Sequence, residues 1–397
     1  MAVLSARAGE LLGSPRADRA TRIMVTLPSE AATDAGLVRA MVAAGMDCAR
    51  INTAHDDAAA WQRMAANVRR AASDLARPCR ILADLAGPKL RTGAIEAGKN
   101  GRERIPVERG DRLVITADDT PGVRAARPSP DGPVRLARIP CTLPAALSYL
   151  RVGDPIWFDD GRIGSVVEKA SASEVLVVIT QVRAKGDRLR SQKGINMPET
   201  AIEIPALGPD DLSALPVIAH FADLVGLSFA QAPEDVLDLR FRLEALDAAH
   251  IGTVLKIETA RGFEALPELL LVGLEGGSVG VMIARGDLAV EIGYARLAEV
   301  QEKILWLCEA AHVPSIWATE VLDTLAREGR PTRAEITDSG AGVRAECVML
   351  NKGPEIVATI EALDDILQRM ASHHDKKTSL LRELRSWRSA EPEANGA

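Results

Sequence analysis

From Arg22 onward the chain alternates two patterns: short apolar runs rich in Val, Ile and Leu, and longer segments whose apolar positions return at helical spacing. Nearly continuous apolar runs suit strands covered on both faces, and their regular alternation with helices suits a parallel sheet wrapped by helices. The first three predicted strands are RIMVTL (Arg22 to Leu27), DCARINT (Asp47 to Thr53) and CRILADLA (Cys79 to Ala86). Ala-rich helices separate them, the clearest running from Asp57 to Leu75. Then the rhythm breaks. Between Thr92 and Lys193, turns of Gly, Pro and Asp separate short β-type runs such as DPIWFDDGRIGSVVEK and SEVLVVITQVRA, which predicts a small antiparallel domain inserted into the sheet. After it, ADLVGLSF, GTVLKIET, SVGVMIA, PSIWAT and ECVMLNK supply five more strands, each ahead of a helix.

Eight strand–helix units is the count of a closed barrel, so the expected fold class is α/β: a (β/α)8 TIM barrel with an inserted small β-rich lid domain. The expected boundaries are an N-terminal extension over 1–20, the barrel over 21–92 and 194–372, the insert over 93–193 and a tail over 373–397 with one short helix. A length of 397 residues with 47% hydrophobic content is enough for such a core. The net charge of -7, with Lys and Arg spread along the chain, gives no footprint for nucleic acid or anionic lipid. Five cysteines, far apart and without C-x-x-C spacing, read as reduced core residues. No stretch approaches the roughly 20 apolar residues of a membrane helix, and the N-terminus lacks a signal-peptide core. A soluble, cytoplasmic protein is the expectation.

In such barrels the active site lies at the C-terminal ends of the strands. Those ends carry Arg50, Asn52 and His55; Asp84, Lys89 and Arg91; Lys256 and Glu258; Arg285 and Asp287; Thr319 and Glu320; and Asn351 and Lys352. Lys256 and Glu258 alternate through Ile257, so both side chains project to one side of their strand, into the barrel mouth. Asp287 follows Arg285 and Gly286, and its carboxylate can join Glu258 on one ion. Two carboxylates with few other protein ligands suit Mg2+ or Mn2+, which completes its shell with substrate oxygens and water. Arg50 and Arg91 offer planar forks matched to phosphate. Taken singly, the lysine and glutamate also fit a structural ion pair, the arginines fit rim salt bridges, and His55 fits a turn residue. Together they read as a site for a metal, a phosphate and a developing enolate. No G-x-x-x-x-G-K-[ST] tract occurs, which excludes P-loop chemistry.

With these residues in place, the sequence resembles the pyruvate kinase family. The resemblance lies in ARINTAH (Ala49 to His55), DLAGPKLRTG (Asp84 to Gly93), SQKGINMP (Ser191 to Pro198), LSFAQAPEDV (Leu227 to Val236), LKIETARG (Leu255 to Gly262), IARGDLAVEI (Ile283 to Ile292), ATEVLDTL (Ala318 to Leu325) and RPTRAEITD (Arg330 to Asp338). It implies phosphoryl transfer from phosphoenolpyruvate to ADP, yielding pyruvate and ATP. Lys256 would stabilise the enolate and the moving phosphoryl group, while Glu258 and Asp287 hold Mg2+ (or Mn2+). Ala284, Gly286, Asp287 and Thr319 would line the pocket for the three-carbon acid, with Thr319 acting through a water that protonates the enolate. Arg50 would grip the substrate phosphate. Asn52, His55, Arg91 and Lys193 would address the nucleotide phosphates, Lys193 coming from the inserted domain as it closes like a lid. A homo-oligomer is expected.

The sequence departs from the family pattern at several positions. Ala54 stands where a hydroxyl helps hold a monovalent cation, and Lys89 places an ammonium where it would substitute for that ion. Activity without K+ is therefore expected. Ala86 replaces a lysine, VTLPSEA lacks a glycine, and ECVMLNKGPEI replaces the usual M-L-S-G-E-T-A. The chain also stops soon after its eighth unit, where typical members continue into a C-terminal domain carrying allosteric sites; sugar-phosphate regulation of the usual kind is not expected. Two alternatives stay open: a metal-dependent lyase or aldolase acting on a pyruvate enolate, and a non-catalytic metabolite-binding regulator.

Overall fold

The eight apolar runs form one closed parallel sheet in the computed structural model, which describes residues 2–98, 101, 103–126 and 135–371. The predicted tail over 373–397 lies outside the described residues. The barrel strands are β1 (Arg22–Thr26), β2 (Cys48–Asn52), β3 (Arg80–Asp84), β4 (Leu224–Leu227), β5 (Gly252–Ile257), β6 (Val279–Ala284), β7 (Ser315–Ala318) and β8 (Cys347–Leu350). Each pairs with its chain neighbours, and β8 closes on β1 with Arg22 opposite Cys347 and Val25 opposite Leu350. Every residue of β1, β4, β5, β6, β7 and β8 is buried, as strands covered on both faces require. The strands are shorter than their apolar runs because the flanking residues turn out of the ladder.

Helix Ala58–Asp74 shows how local chemistry sets the boundaries. Asp57 caps it by accepting from Ala60 N at 2.8 Å, and its apolar face buries Trp61, Met64 and Val68. Helix Arg333–Ala341 begins with a capping box in which Thr332 and Glu335 exchange bonds.

The N-terminal segment has a role that its sequence did not disclose. Residues Ala2–Leu12 form helix α1, and its Leu11 and Leu12 join Met24, Cys48, Leu82, Leu224, Val254 and Met282 in one buried cluster. Gly252 and Gly280, on β5 and β6, make room for it: a Cβ there would lie 2.6 and 2.5 Å from the Leu11 methyl groups. Just beyond, buried Arg19 bonds Asp47 at 2.8 Å and Asp364 at 2.6 Å, tying this segment to the β2 entrance and to helix Ile356–Ala371.

Two compact units share the chain. The barrel unit runs up to Ala86, then over Pro209–Arg285 and on from Leu297; the second comprises Gly87–Gly208 and Gly286–Arg296. The second unit carries a six-stranded sheet, in spatial order Ile195–Asn196, Pro155–Phe158, Ile163–Ala170, Glu174–Gln181, Arg112–Thr116 and Ala137–Pro140. It is antiparallel except for its last pair, and a two-stranded ribbon, Arg104–Val107 with Asp187–Arg190, accompanies it. Its own core includes Leu113, Ile115, Phe158, Val175, Val177 and Leu189.

All five cysteines are buried and free. Burial pushes the Cys79 thiol up to about 12 and the Cys141 thiol to about 11, so both behave as small apolar residues. Among the described residues, no helix is long and apolar enough to cross a membrane.

Candidate active site

Four charges converge at the C-terminal mouth of the barrel. Asp84 ends β3 and is fully buried; Lys256 is the penultimate residue of β5; Glu258 follows that strand. The Lys256 ammonium lies 3.1 Å from Asp84 Oδ1 and 3.1 Å from Glu258 Oε1, and it donates to Ser228 Oγ at 2.6 Å. Ser228 passes its own proton to the Leu85 carbonyl at 2.6 Å, which fixes its lone pairs toward the lysine. Arg50, on β2, completes the group: its Nε donates to Asp84 Oδ2 at 2.7 Å and its Nη1 to Thr26 Oγ1 at 2.9 Å. Phe229 N donates to Glu258 Oε2 at 2.9 Å, so the backbone after β4 holds the other face of that carboxylate.

The electrostatics favour the charged forms of Asp84 and Lys256. Burial alone would push the Asp84 carboxyl up, but the Lys256 and Arg50 charges outweigh it and hold it below its ordinary value. Burial alone would likewise lower Lys256, but Asp84 and Glu258 outweigh it and raise it. A buried ammonium whose charged form is favoured is thus fixed at the mouth. Gly226 is part of this arrangement. It pairs with Asp84 across the β3–β4 ladder, and a Cβ on it would lie 2.6 Å from Asp84 Oδ1.

After β7, backbone strain marks the mouth. Thr319, Glu320 and Leu322, just after β7, have φ of 74°, 57° and 49°. A β-branched residue in that region is uncommon and held only where its surroundings over-determine it. Arg285 supplies much of that hold, donating through Nε to the Ala318 carbonyl at 2.7 Å and through Nη2 to the Thr319 carbonyl at 2.6 Å.

In the second unit, Lys89 Nζ bridges both oxygens of Asp287, at 3.0 and 2.8 Å. Arg91 pairs with Gly194 in an antiparallel bridge, and Thr92 N donates to the Lys193 carbonyl at 2.8 Å, so Arg91 and Lys193 lie on adjoining segments. The Lys193 ammonium pairs with Asp159 Oδ1 at 2.7 Å.

A model of the pyruvate kinase barrel domain matches residues 18–355 of this chain. The chain belongs to the pyruvate kinase family. Among similar proteins, the pyruvate kinase of Geobacillus stearothermophilus is 33% identical over 321 residues, covering 81% of this chain and 50% of the relative. That of Bacillus licheniformis is 30% identical over 367 residues, covering 90% and 58%. That of Thermococcus litoralis is 30% identical over 372 residues, covering 92% and 72%. The chain spans about half the length of the first two of these pyruvate kinases.

Within the pyruvate kinase barrel, Arg50, Lys256 and Glu258 gather as one cluster, while Asn52 and His55 sit at its β2 edge in a turn where Asn52 Oδ1 accepts from Ala54 N at 3.1 Å. Thr319 follows the β7 strand in its strained turn. Ala284 closes β6, and Gly286 and Asp287 open helix Arg285–Ile292. Lys89, predicted as a substitute for a monovalent cation, and Asp287, predicted as a metal ligand, form one ion pair. Ser228, Thr26, Asp159 and Asp338 were missed as partners. Small hydroxyls and single carboxylates carry no spacing signal, and they reach the site only through the fold. At the departures from the family pattern, Ala86 N donates to the Asp211 carboxylate at 2.9 Å and a Cβ on Gly353 would strike the Ala326 carbonyl at 2.2 Å; nothing in the structure explains alanine in place of lysine at position 86.

Glu258 presents a hard carboxylate oxygen at the barrel mouth, and in the second unit the Asp287 carboxylate is paired with the Lys89 ammonium. Among the described residues no three His, Cys, Asp or Glu side chains gather as a metal-binding group.

Proposed function

We propose that this chain transfers a phosphoryl group from phosphoenolpyruvate to ADP, yielding pyruvate and ATP in the cytoplasm, as a homo-oligomer. The observation that carries the reading is the buried Lys256 ammonium, kept charged by Asp84 and Glu258 beside the Arg50 fork at the barrel mouth. In the reaction, the bond between the enol oxygen and phosphorus breaks as a terminal oxygen of ADP bonds to that phosphorus. The electron pair left on the enol oxygen makes the enolate of pyruvate, and a proton then adds to its methylene carbon. Lys256 sits where it offsets both the enolate and the moving phosphoryl charge without any reorganisation, the largest kind of catalytic contribution. The outer N–H groups of Arg50 reach for the substrate phosphate while its inner edge stays on Asp84. Ala284, Gly286, Asp287 and Thr319 bind the three-carbon acid, with Thr319 ordering the water that delivers the proton. Asn52, His55, Arg91 and Lys193 take the nucleotide phosphates. Glu258 and Asp287 hold Mg2+ or Mn2+, which supplies Lewis acidity when bound.

Ala54 and Lys89 together support turnover without K+, since a tethered ammonium replaces a diffusible cation. The test is pyruvate formation from phosphoenolpyruvate and ADP with Mg2+, with and without K+, in wild type and Lys256→Met. Turnover that is unchanged by K+ and falls at least about 100-fold in the variant is expected. A strict K+ requirement would remove the role given to Lys89, and near-normal turnover in Lys256→Met would sink the kinase reading.

A further inference from the structure

We propose that Arg285 and Asp338 form a positioning pair that holds Thr319 in its left-handed conformation, and that proton delivery to the enolate depends on this pair acting through Thr319. The inference rests on the enolate chemistry proposed above. The pair is built from three barrel segments. Arg285 follows β6 directly, Thr319 follows β7, and Asp338 comes from helix Arg333–Ala341. One planar guanidinium grips two successive carbonyls, those of Ala318 and Thr319, at 2.7 and 2.6 Å. Its other edge meets the Asp338 carboxylate: Nη2 donates to Oδ2 at 2.8 Å, and Nη1 pairs with Oδ1. The guanidinium carbon stands 4.5 Å from the centre of the Trp317 ring, and Trp317 Nε1 donates to Asp338 Oδ1 at 3.3 Å. Arginine, carboxylate and indole therefore lock one another.

Gripping both carbonyls fixes the peptide planes on either side of Thr319, and those planes set its φ of 74°. An ion pair that served stability alone would have no need to end on the carbonyls of a strained turn. Lysine cannot replace Arg285 here, because a point charge cannot address two carbonyls and a carboxylate at once. Loss of Asp338 frees the guanidinium to swing, and Thr319 then relaxes toward an ordinary strand-end conformation.

The test uses the full chain and three readouts: thermal midpoint, kcat and KM for phosphoenolpyruvate, and exchange of the pyruvate methyl protons with D2O, which passes through the same enolate. Asp338→Ala and Arg285→Lys should remain folded, bind phosphoenolpyruvate with KM within about threefold of wild type, and lose exchange and kcat by on the order of tenfold or more. Asp338→Asn, which retains an acceptor for the guanidinium, should recover part of the loss. Exchange and kcat within about twofold of wild type in folded Asp338→Ala would overturn the inference. So would a rise in KM with kcat intact, or losses in all variants that merely track their melting temperatures. A wild-type protein that neither forms pyruvate nor exchanges its protons would instead sink the functional reading, and the inference with it.

Discussion

Asp84 carries its charge out of water because two cations meet it there, and that arrangement has a pH signature. Its pKa in the folded state lies below its ordinary value, near 3.9 in an unfolded chain, because the Lys256 and Arg50 charges outweigh burial. The stabilisation this provides is therefore complete above about pH 4 and is lost as pH falls through the lowered folded value. Lys256 works in the opposite sense. Its raised pKa makes its contribution complete below about pH 10.4 and lost only as pH climbs through the folded value. These two contributions should thus be indifferent to pH between those limits. We expect Asp84→Asn to cost about 3 kcal/mol at neutral pH, since it leaves buried cations short of a counter-charge, and to flatten the acid limb of the urea midpoint plotted against pH. Parallel acid limbs in the variant and wild type would mean that Asp84 is not the group that titrates. Carboxylates of this kind escape sequence reading. Asp84 stood in the collection of strand-end residues, yet nothing in DLAGPK distinguishes a charge that binds substrate from one that orients the residues that do.

Elements were legible where their periodicity is local. The eight strands followed from apolar runs, and helix Ala58–Asp74 was read almost to its ends because Asp57 announces its start. Strand limits ran long; CRILADLA became Arg80–Asp84, since Leu85 leaves the β2–β3 ladder and its N–H instead bonds Gly226 on β4. Helix α1 was read only as an extension, although Leu4, Ala8 and Leu11 already lie on one face of a helix. What could not be read was the partner of that face, because the glycines that admit Leu11, Gly252 and Gly280, lie more than two hundred residues away. Its position in the strand-core cluster predicts a clean separation of stability from chemistry. Leu11→Ala should destabilise the chain by about 2–5 kcal/mol through the cavity it leaves, and kcat below the melting range should be unaffected. A variant with wild-type stability would show that α1 is not needed to fill the barrel, and one with depressed kcat at low temperature would tie it to the active site.

At the scale of the whole molecule, the basic side chains proposed for the two substrates belong to different compact units, although Asn52 and His55, proposed for the nucleotide, lie in the barrel unit, and Gly286 and Asp287, proposed for the acid, in the second. Arg50 and Lys256, assigned to phosphoenolpyruvate, are built into the barrel, whereas Arg91 and Lys193, assigned to ADP, are built into the second unit. Each group is held by partners within its own unit: Asp84 and Glu258 for the first, the Gln192 carbonyl and Asp159 for the second. Ligand-induced stabilisation should therefore separate along the same line. A ligand that binds only the folded chain adds about 2.7 kcal/mol at a hundred times its dissociation constant, so each substrate has a readable effect on the melting temperature. With Mg2+ present, Lys193→Ala should lose most of the shift given by ADP and retain that given by phosphoenolpyruvate. Arg50→Ala should do the reverse, because Lys193 and Arg91 keep their settings while the phosphate fork at the barrel mouth is gone. Equal losses for both ligands in both variants would show that the two sets of residues do not divide the substrates between them. Shifts with pyruvate-like acids and none with ADP, even in wild type, would move the assignment to a lyase that uses the same lysine and carboxylates on an enolate.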